Sequence, residues 1–278
     1  MCLIFFAHDV HPDYRLILVS NRDEFYARPT MPAGFWESIP GVFGGRDLEQ
    51  GGTWLGVTRT GRFATVTNYR DPEEFERQGR SRGLLLREFL KQEPPPGPFA
   101  EDLAEGDRDA DAAGERSQFN GYNLLVGDLR GDQGLFYYSN KSPQRFPRRL
   151  LPGIYGLSNH LLDSPWPKLV SGRTGFAELV HRNRPGSDDW SHHPNAFFDL
   201  MTNSTTAPDD ALPDTGVGLE RERFLSSRFI RSEVYGTRAC SVLFVRRDGL
   251  LIFFERRFEA GGNAKGDTRY EFRLDPPA

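Results

Sequence analysis

Residues 1–24 read MCLIFFAHDVHPDYRLILVSNRDE, and this stretch decides how the rest of the chain is read. Residues 2–7 and 14–20 are apolar runs rich in β-branched and aromatic side chains, separated by a polar turn around His11-Pro12-Asp13. Two such runs flanking a short turn predict a β-hairpin. The first run is very short and no basic residue precedes it, unlike a secretory leader, so it predicts a buried strand at the start of the chain. The second run closes on Ser20-Asn21-Arg22-Asp23-Glu24. Polar and charged residues ending a strand read either as a solvated hairpin end or as the rim of a site.

Outward from the hairpin, strand-forming runs recur at 53–58, 62–68, 122–128, 134–139, 154–158, 239–246, 250–256 and 270–274. Apolar residues at helical spacing mark 81–91, with Ser81 as its cap, and 166–182, where Leu169, Phe176, Leu179 and Val180 fall inward. Residues 194–202 predict a further short helix. Residues 93–118 open on Pro94-Pro95-Pro96 and run on as a charged tract, which predicts a surface insertion: a short helix, then a solvated loop rich in Asp and Gly. Strands first, helices in the middle and strands last predict an α+β chain with helices covering antiparallel sheets, and 278 residues leave one large domain or two open.

The composition narrows the classes. A hydrophobic fraction of 37%, with 22 Phe and 4 Trp, excludes a disordered chain. No stretch approaches the roughly 18 apolar residues of a membrane span. A net charge of −4 argues against a nucleic-acid partner. Two distant cysteines, Cys2 and Cys240, form no disulfide framework and point to a reducing, cytoplasmic compartment. Cys240 lies in an apolar run and is expected to be a core thiol. No metal site is expected: His192-His193 lack paired ligands at zinc spacing and read as an exposed pair. The glycines around Trp54 match no phosphate-binding fingerprint and predict a tight turn before a buried indole.

Cys2 carries the most chemical information. Removal of the initiator methionine leaves a thiol and a free α-amine on one residue. An α-amine titrates near about 8, low enough to act as a neutral base. A nucleophile with its base on the same residue suits acyl transfer.

With Cys2, the block Asn21-Arg22-Asp23-Glu24 resembles the signature of the NRDE family, also called the transport and Golgi organisation protein 2 family. Further blocks match in order: Gly51-Gly52-Thr53-Trp54-Leu55-Gly56, Thr67-Asn68-Tyr69-Arg70, Asn120-Gly121-Tyr122-Asn123-Leu124-Leu125, Gly156-Leu157-Ser158-Asn159 and Tyr235-Gly236-Thr237-Arg238. The resemblance implies a single domain over 1–278, a four-layer αββα sandwich of two antiparallel sheets, the N-terminal nucleophile hydrolase fold of penicillin V acylase and bile salt hydrolase. It implies Cys2 as nucleophile, Arg22 beside its thiolate, and Asp23 or Glu24 holding the ammonium form of the α-amine. It implies Asn159 as oxyanion donor, Asn68 as a second donor and Arg238 as a second cation. Acylases of that group separate the Arg and the Asp by two residues, whereas here Arg22, Asp23 and Glu24 are adjacent. Strand alternation then puts Arg22 and Glu24 on one face and Asp23 on the other, leaving the choice of acid open.

Two functional classes follow. One is a cysteine-dependent hydrolase of a non-peptide C–N (amide) bond in a small or lipophilic ligand, needing no cofactor. The other, implied by family members linked to haem trafficking and to acyl-CoA or lipid metabolism, is a carrier on the same scaffold. Trp54 and His160 are its candidate pocket residues, and haem is a possible ligand.

Overall fold

The two apolar runs form the expected hairpin, and its second strand continues through the charged residues as far as Phe25. The computed structural model describes residues 2–74, 77, 79–91, 94–115, 117–131, 133–182 and 194–276. In chain order the strands are β1 (Cys2–His8), β2 (Tyr14–Phe25), β3 (Thr30–Phe35), β4 (Val42–Asp47), β5 (Leu55–Thr58) and β6 (Arg62–Asn68). Helices α1 (Gly83–Lys91) and α2 (Pro96–Ala112) follow, then β7 (Tyr122–Asp128), β8 (Leu135–Ser139), β9 (Arg148–Arg149) and β10 (Gly153–Leu157). The remainder is α3 (Pro167–Arg182), α4 (Asn195–Met201), α5 (Leu219–Phe224), β11 (Tyr235–Arg246), β12 (Leu250–Phe258) and β13 (Ala264–Arg273). Two antiparallel sheets with accompanying helices make the chain α+β, as expected. None of the described helices is long and apolar enough to cross a membrane. His192 and His193 lie outside the described residues.

The chain divides into two compact units. The first comprises Met1–Arg28, Pro152–Ser158 and Leu162–Arg273. Its six-stranded sheet has the order β10-β1-β2-β11-β12-β13. Leu3, Phe5, Ile17 and Val19 project from one face of β1 and β2 into a core shared with Phe176 of α3 and Phe197, Phe198 and Met201 of α4. Alternation therefore assigns the odd-numbered residues of β1 and β2 to the helix-covered face. Helix α3 approaches closely because it carries Gly172, where a Cβ would stand 2.2 Å from the Phe5 ring. Phe5 is fully buried as a result, worth roughly 1.5–3 kcal/mol relative to exposure.

The second unit comprises Pro29–Leu151, Asn159–Leu161 and Leu274–Ala278. Its seven strands pair strictly in sequence, β3 through β9, as an antiparallel meander. Leu85, Leu86, Phe89 and Leu90 of α1 and Phe99, Ala100 and Ala104 of α2 pack on Ala64, Val66, Leu124 and Val126.

Helix α2 is longer than the sequence suggests, because the charged tract expected to be a loop is helical as far as Ala112. Prolines at its first turn are tolerated, since no intrahelical partner awaits their missing N–H. The Asp and Gly content of the tract is what reads as a solvated loop, and the acidic residues near the helix C-terminus oppose its dipole. What holds this end is polar. Asp107 is buried, and its carboxylate accepts hydrogen bonds from Tyr138 Oη at 2.9 Å, Tyr122 Oη at 3.1 Å and Ser117 Oγ at 2.5 Å. Burial, then the adjacent Asp107 charge, pushes both phenols above their usual range, so they stay protonated donors.

Replacing Asp107 with Ala strands two buried tyrosine hydroxyls. The expected loss is about 2–4 kcal/mol of stability, read as a lower urea midpoint. A midpoint matching wild type would show that apolar packing alone fixes the helix.

Candidate functional site

In the first unit, β1 and β2 pair so that Cys2 stands directly opposite Arg22, Leu3 opposite Asn21 and Ile4 opposite Ser20. Directly opposed residues share a face, so Cys2 and Arg22 lie together on the face away from α3 and α4. Glu24 joins them two residues on. Its Oε2 is 3.9 Å from Arg22 Nη2 and 3.9 Å from Arg28 Nε, and its Oε1 accepts the Phe25 amide at 2.9 Å. The residues that close the strand are not a solvated hairpin end: Asn21, Arg22 and Asp23 are all buried.

Asn21 and Asp23 point the other way, into the helix-covered side. Asn21 Nδ2 donates to the carbonyls of Met201 and Arg228 at 2.9 and 2.8 Å, tying β2 to the end of α4 and to the loop between α5 and β11. Asp23 Oδ1 accepts from Thr237 Oγ1 at 2.6 Å, and that same hydroxyl oxygen accepts the Ile230 amide at 3.0 Å. Lys168, buried on α3, donates to the Leu225 carbonyl at 2.8 Å, and its charge favours the ionised form of Asp23. Burial outweighs the Thr237 bond, Lys168 and Arg22, and raises the Asp23 carboxyl above its ordinary value.

Arg238 is placed by a β-bulge. Thr237 pairs with Asp23 and Ala239 with Arg22, leaving Arg238 as the extra residue between them. Its guanidinium donates to the carbonyl of Phe25 at 3.0 Å and to that of Arg28. Burial, then the charge of Arg22, lowers its proton affinity, which Glu24 partly restores.

Burial is also the largest influence on Cys2, pushing its thiol up, with the charges of Asp23 and Glu24 acting in the same direction. Arg22 acts the opposite way, as expected for a cation beside a thiol, but burial wins. Ser158 Oγ donates to the Cys2 carbonyl at 3.4 Å. Cys240 is fully buried, opposite Asn21, and is the core thiol the sequence suggested.

Asn68, Asn159 and His160 belong to the second unit. Asn159 is buried, its Nδ2 donates to the Asn68 carbonyl at 3.0 Å, and its own carbonyl accepts the Arg70 amide at 2.7 Å. Asn123 Nδ2 donates to the His160 carbonyl at 3.0 Å and to Thr67 Oγ1 at 3.0 Å. Its Oδ1 accepts from Tyr137 Oη at 2.8 Å. The His160 ring lies 5.0 Å from that of Tyr69, and burial followed by the charge of Arg70 lowers its pKa, which favours the neutral ring. Trp54 is buried against Gly45, where a Cβ would stand 2.3 Å from the indole.

Sequence reasoning missed Lys168 and gave Asn123 and Thr237, each part of a matching block, no role. Lys168 had a signal. It shares one i, i+4 row with Gly172, Phe176 and Val180, so an otherwise apolar helix stripe begins on a lysine. Among the described residues, no cluster of His, Cys, Asp and Glu is arranged to hold a metal.

The scaffold and this strand-end cluster define an α+β protein whose first strand sets a cysteine against an arginine. The family model described as Transport and Golgi organisation 2 matches residues 1–260, and the chain belongs to that family. It is 37% identical over 292 residues to the Transport and Golgi organization protein 2 homolog of Bos taurus, covering 99% of each chain. It is 36% identical over 288 residues to the homolog of Homo sapiens, again with 99% coverage of each. Among solved structures, it is similar to the Caenorhabditis elegans ortholog of N-acylethanolamine-hydrolyzing acid amidase. There the identity is 11% and the TM-score 0.40, over 87% of this chain and 92% of that one.

The balance of influences on Cys2 sets its pH response. Labelling by iodoacetamide, followed by peptide mass, is expected to rise with pH through a midpoint above that of free cysteine. Arg22→Gln should move the midpoint higher still. A midpoint at or below that of free cysteine would contradict this account.

Proposed function

We propose that the chain is a cysteine-dependent hydrolase of a non-peptide amide bond, with Cys2 as its nucleophile. The observation that carries the reading is the cross-strand pairing of Cys2 with Arg22 at the end of β1 and β2. A thiol kept protonated by burial needs a base at the moment of attack. The α-amine released by removal of Met1 supplies one on the same residue. In this reading Cys2 Sγ attacks the amide carbonyl carbon as its proton passes to the amine. Collapse of the tetrahedral intermediate breaks the C–N bond, and the leaving amine takes that proton. Water then hydrolyses the thioester to a carboxylic acid and regenerates the thiol. Arg22 favours the thiolate as it forms, and Glu24 holds the arginine in place.

The intact mass of the untagged protein tests the first requirement, and loss of Met1 is expected. Incubation with reactive acyl amides should then add an acyl mass at Cys2, abolished by Cys2→Ala and slowed about tenfold or more by Arg22→Gln. Retained Met1, or acylation no faster than at a free cysteine, would refute the hydrolase.

A second reading, a carrier for haem or an acyl-CoA or other lipid, is favoured by one observation. His160 is half-buried with its ring 5.0 Å from that of Tyr69, and burial followed by the charge of Arg70 lowers its pKa, which favours the neutral form in which imidazole ligates a metal. Haem titration checks it: a Soret shift kept in Cys2→Ala but lost in His160→Ala supports the carrier, and no shift in the wild-type chain removes haem from consideration.

A further inference from the structure

Helices α1 and α2, with the residues leading into β7, line a groove of about 540 Å³ in the second unit, within the size range of small-ligand sites. Leu85, Phe119 and Tyr122 are buried at its base, and Leu103 packs against them. Asp102, Gly106 and Asp109 line it at four- and three-residue spacing, which puts them on one face of α2. Asp102 and Asp109 are exposed there, as is Glu115 just beyond the helix, and none of the three forms an ion pair among the described residues. Arg108 of the same helix does not line the groove. Its guanidinium donates to the Arg145 carbonyl at 2.8 Å and stands 4.8 Å from the centre of the Phe146 ring.

Two features set this groove apart from an ordinary solvated helix face. Gly106 stands inside α2, where glycine weakens a helix, yet a Cβ there would meet nothing within 4 Å. Packing therefore does not call for glycine at this position, as the Phe5 ring does at Gly172. What the missing side chain leaves is room on the groove wall between Asp102 and Asp109. The second feature is a cation already held on an aromatic face. Arg80, the one basic side chain among the described lining residues, sets its guanidinium 5.2 Å from the centre of the Phe119 ring and donates to Glu88 Oε1 at 3.1 Å. Arg80 and Glu88 offset each other, so Asp102, Asp109 and Glu115 are unmatched by a described cation of the groove.

We propose that this groove binds an organic ammonium ion carrying an apolar tail. The tail covers Leu85, Leu103 and Phe119, while the ammonium group lies among Asp102, Asp109 and Glu115. Burial of the tail drives binding, and the carboxylates select the sign of the charge. The proposal uses none of the residues around Cys2 and stands apart from the hydrolase reading.

Isothermal titration of the full chain tests it, with octyltrimethylammonium, octyl glucoside and octyl sulfate, each below its micelle concentration. The ammonium probe is expected to bind, and more weakly as salt is raised; the glucoside should bind less well and the sulfate not at all. Asp102→Asn with Asp109→Asn should weaken binding of the ammonium probe by about fivefold or more. Gly106→Leu should abolish it and leave the thermal midpoint at or above that of wild type, because leucine is the better helix former. A filled groove is thereby separated from a lost fold. Should Gly106→Leu lower the midpoint, the asparagine pair, at two exposed positions, decides alone. No binding of the ammonium probe, equal binding of all three probes, or binding insensitive to the asparagine pair would overturn the proposal. So would unchanged binding by a folded Gly106→Leu chain, which would assign the probe to another apolar surface.

Discussion

Strand β2 is hydrogen-bonded on both sides, to β1 and to β11, and its two-residue alternation admits no slippage without turning every side chain over. That constraint divides Asn21-Arg22-Asp23-Glu24 into two pairs with different work. Asn21 and Asp23 face the helix-covered side and bind backbone and hydroxyl groups at the end of α4, in the loop before β11 and in β11 itself. Arg22 and Glu24 face the other side with Cys2. A four-residue signature therefore acts both as a fastener on one face of its sheet and as a charged rim on the other. The fastener fixes the strand on which the rim is carried.

The electrostatics follow from the same division. On the Cys2 face the charges are arginines gathered about Glu24. On the opposite face a buried carboxylate is offset by Thr237 and by the charge of Lys168. Burial opposes ionisation at both Cys2 and Asp23, so neither is a simple surface titration. A protonated thiol beside a cation suits attack only when a base is close at hand, which gives the fate of Met1 its weight.

The strands of the hairpin, most later strands and helices α1 and α3 are legible in the sequence because their apolar periods are long and their neighbours share them. Strands β3 and β4 are not: Thr30–Phe35 contains a proline and is largely exposed, and Val42–Asp47 contains two glycines and a charged end. The end of α2 reads as a loop because its anchor is Asp107 rather than an apolar stripe. At the site, two-residue alternation is enough to separate Arg22 and Glu24 from Asp23. The burial of Asn21 and Asp23 is not legible, because it depends on chain segments some 200 residues further on. Lys168 is visible in the helical row but reads as an ordinary surface lysine until its stripe is drawn.

The bulge at Arg238 has a consequence for how this part of the chain can change over evolution. By absorbing one residue, it allows the odd-numbered Thr237 and the even-numbered Cys240, Val242 and Phe244 to face the same side of one strand. The two parts of β11 therefore differ in parity. A single-residue insertion or deletion in either part would turn a run of core side chains outward, or Thr237 away from Asp23. Length changes that preserve both faces of the strand must come in twos or fall in the flanking turns, whereas point exchanges at the bulge itself leave the register intact.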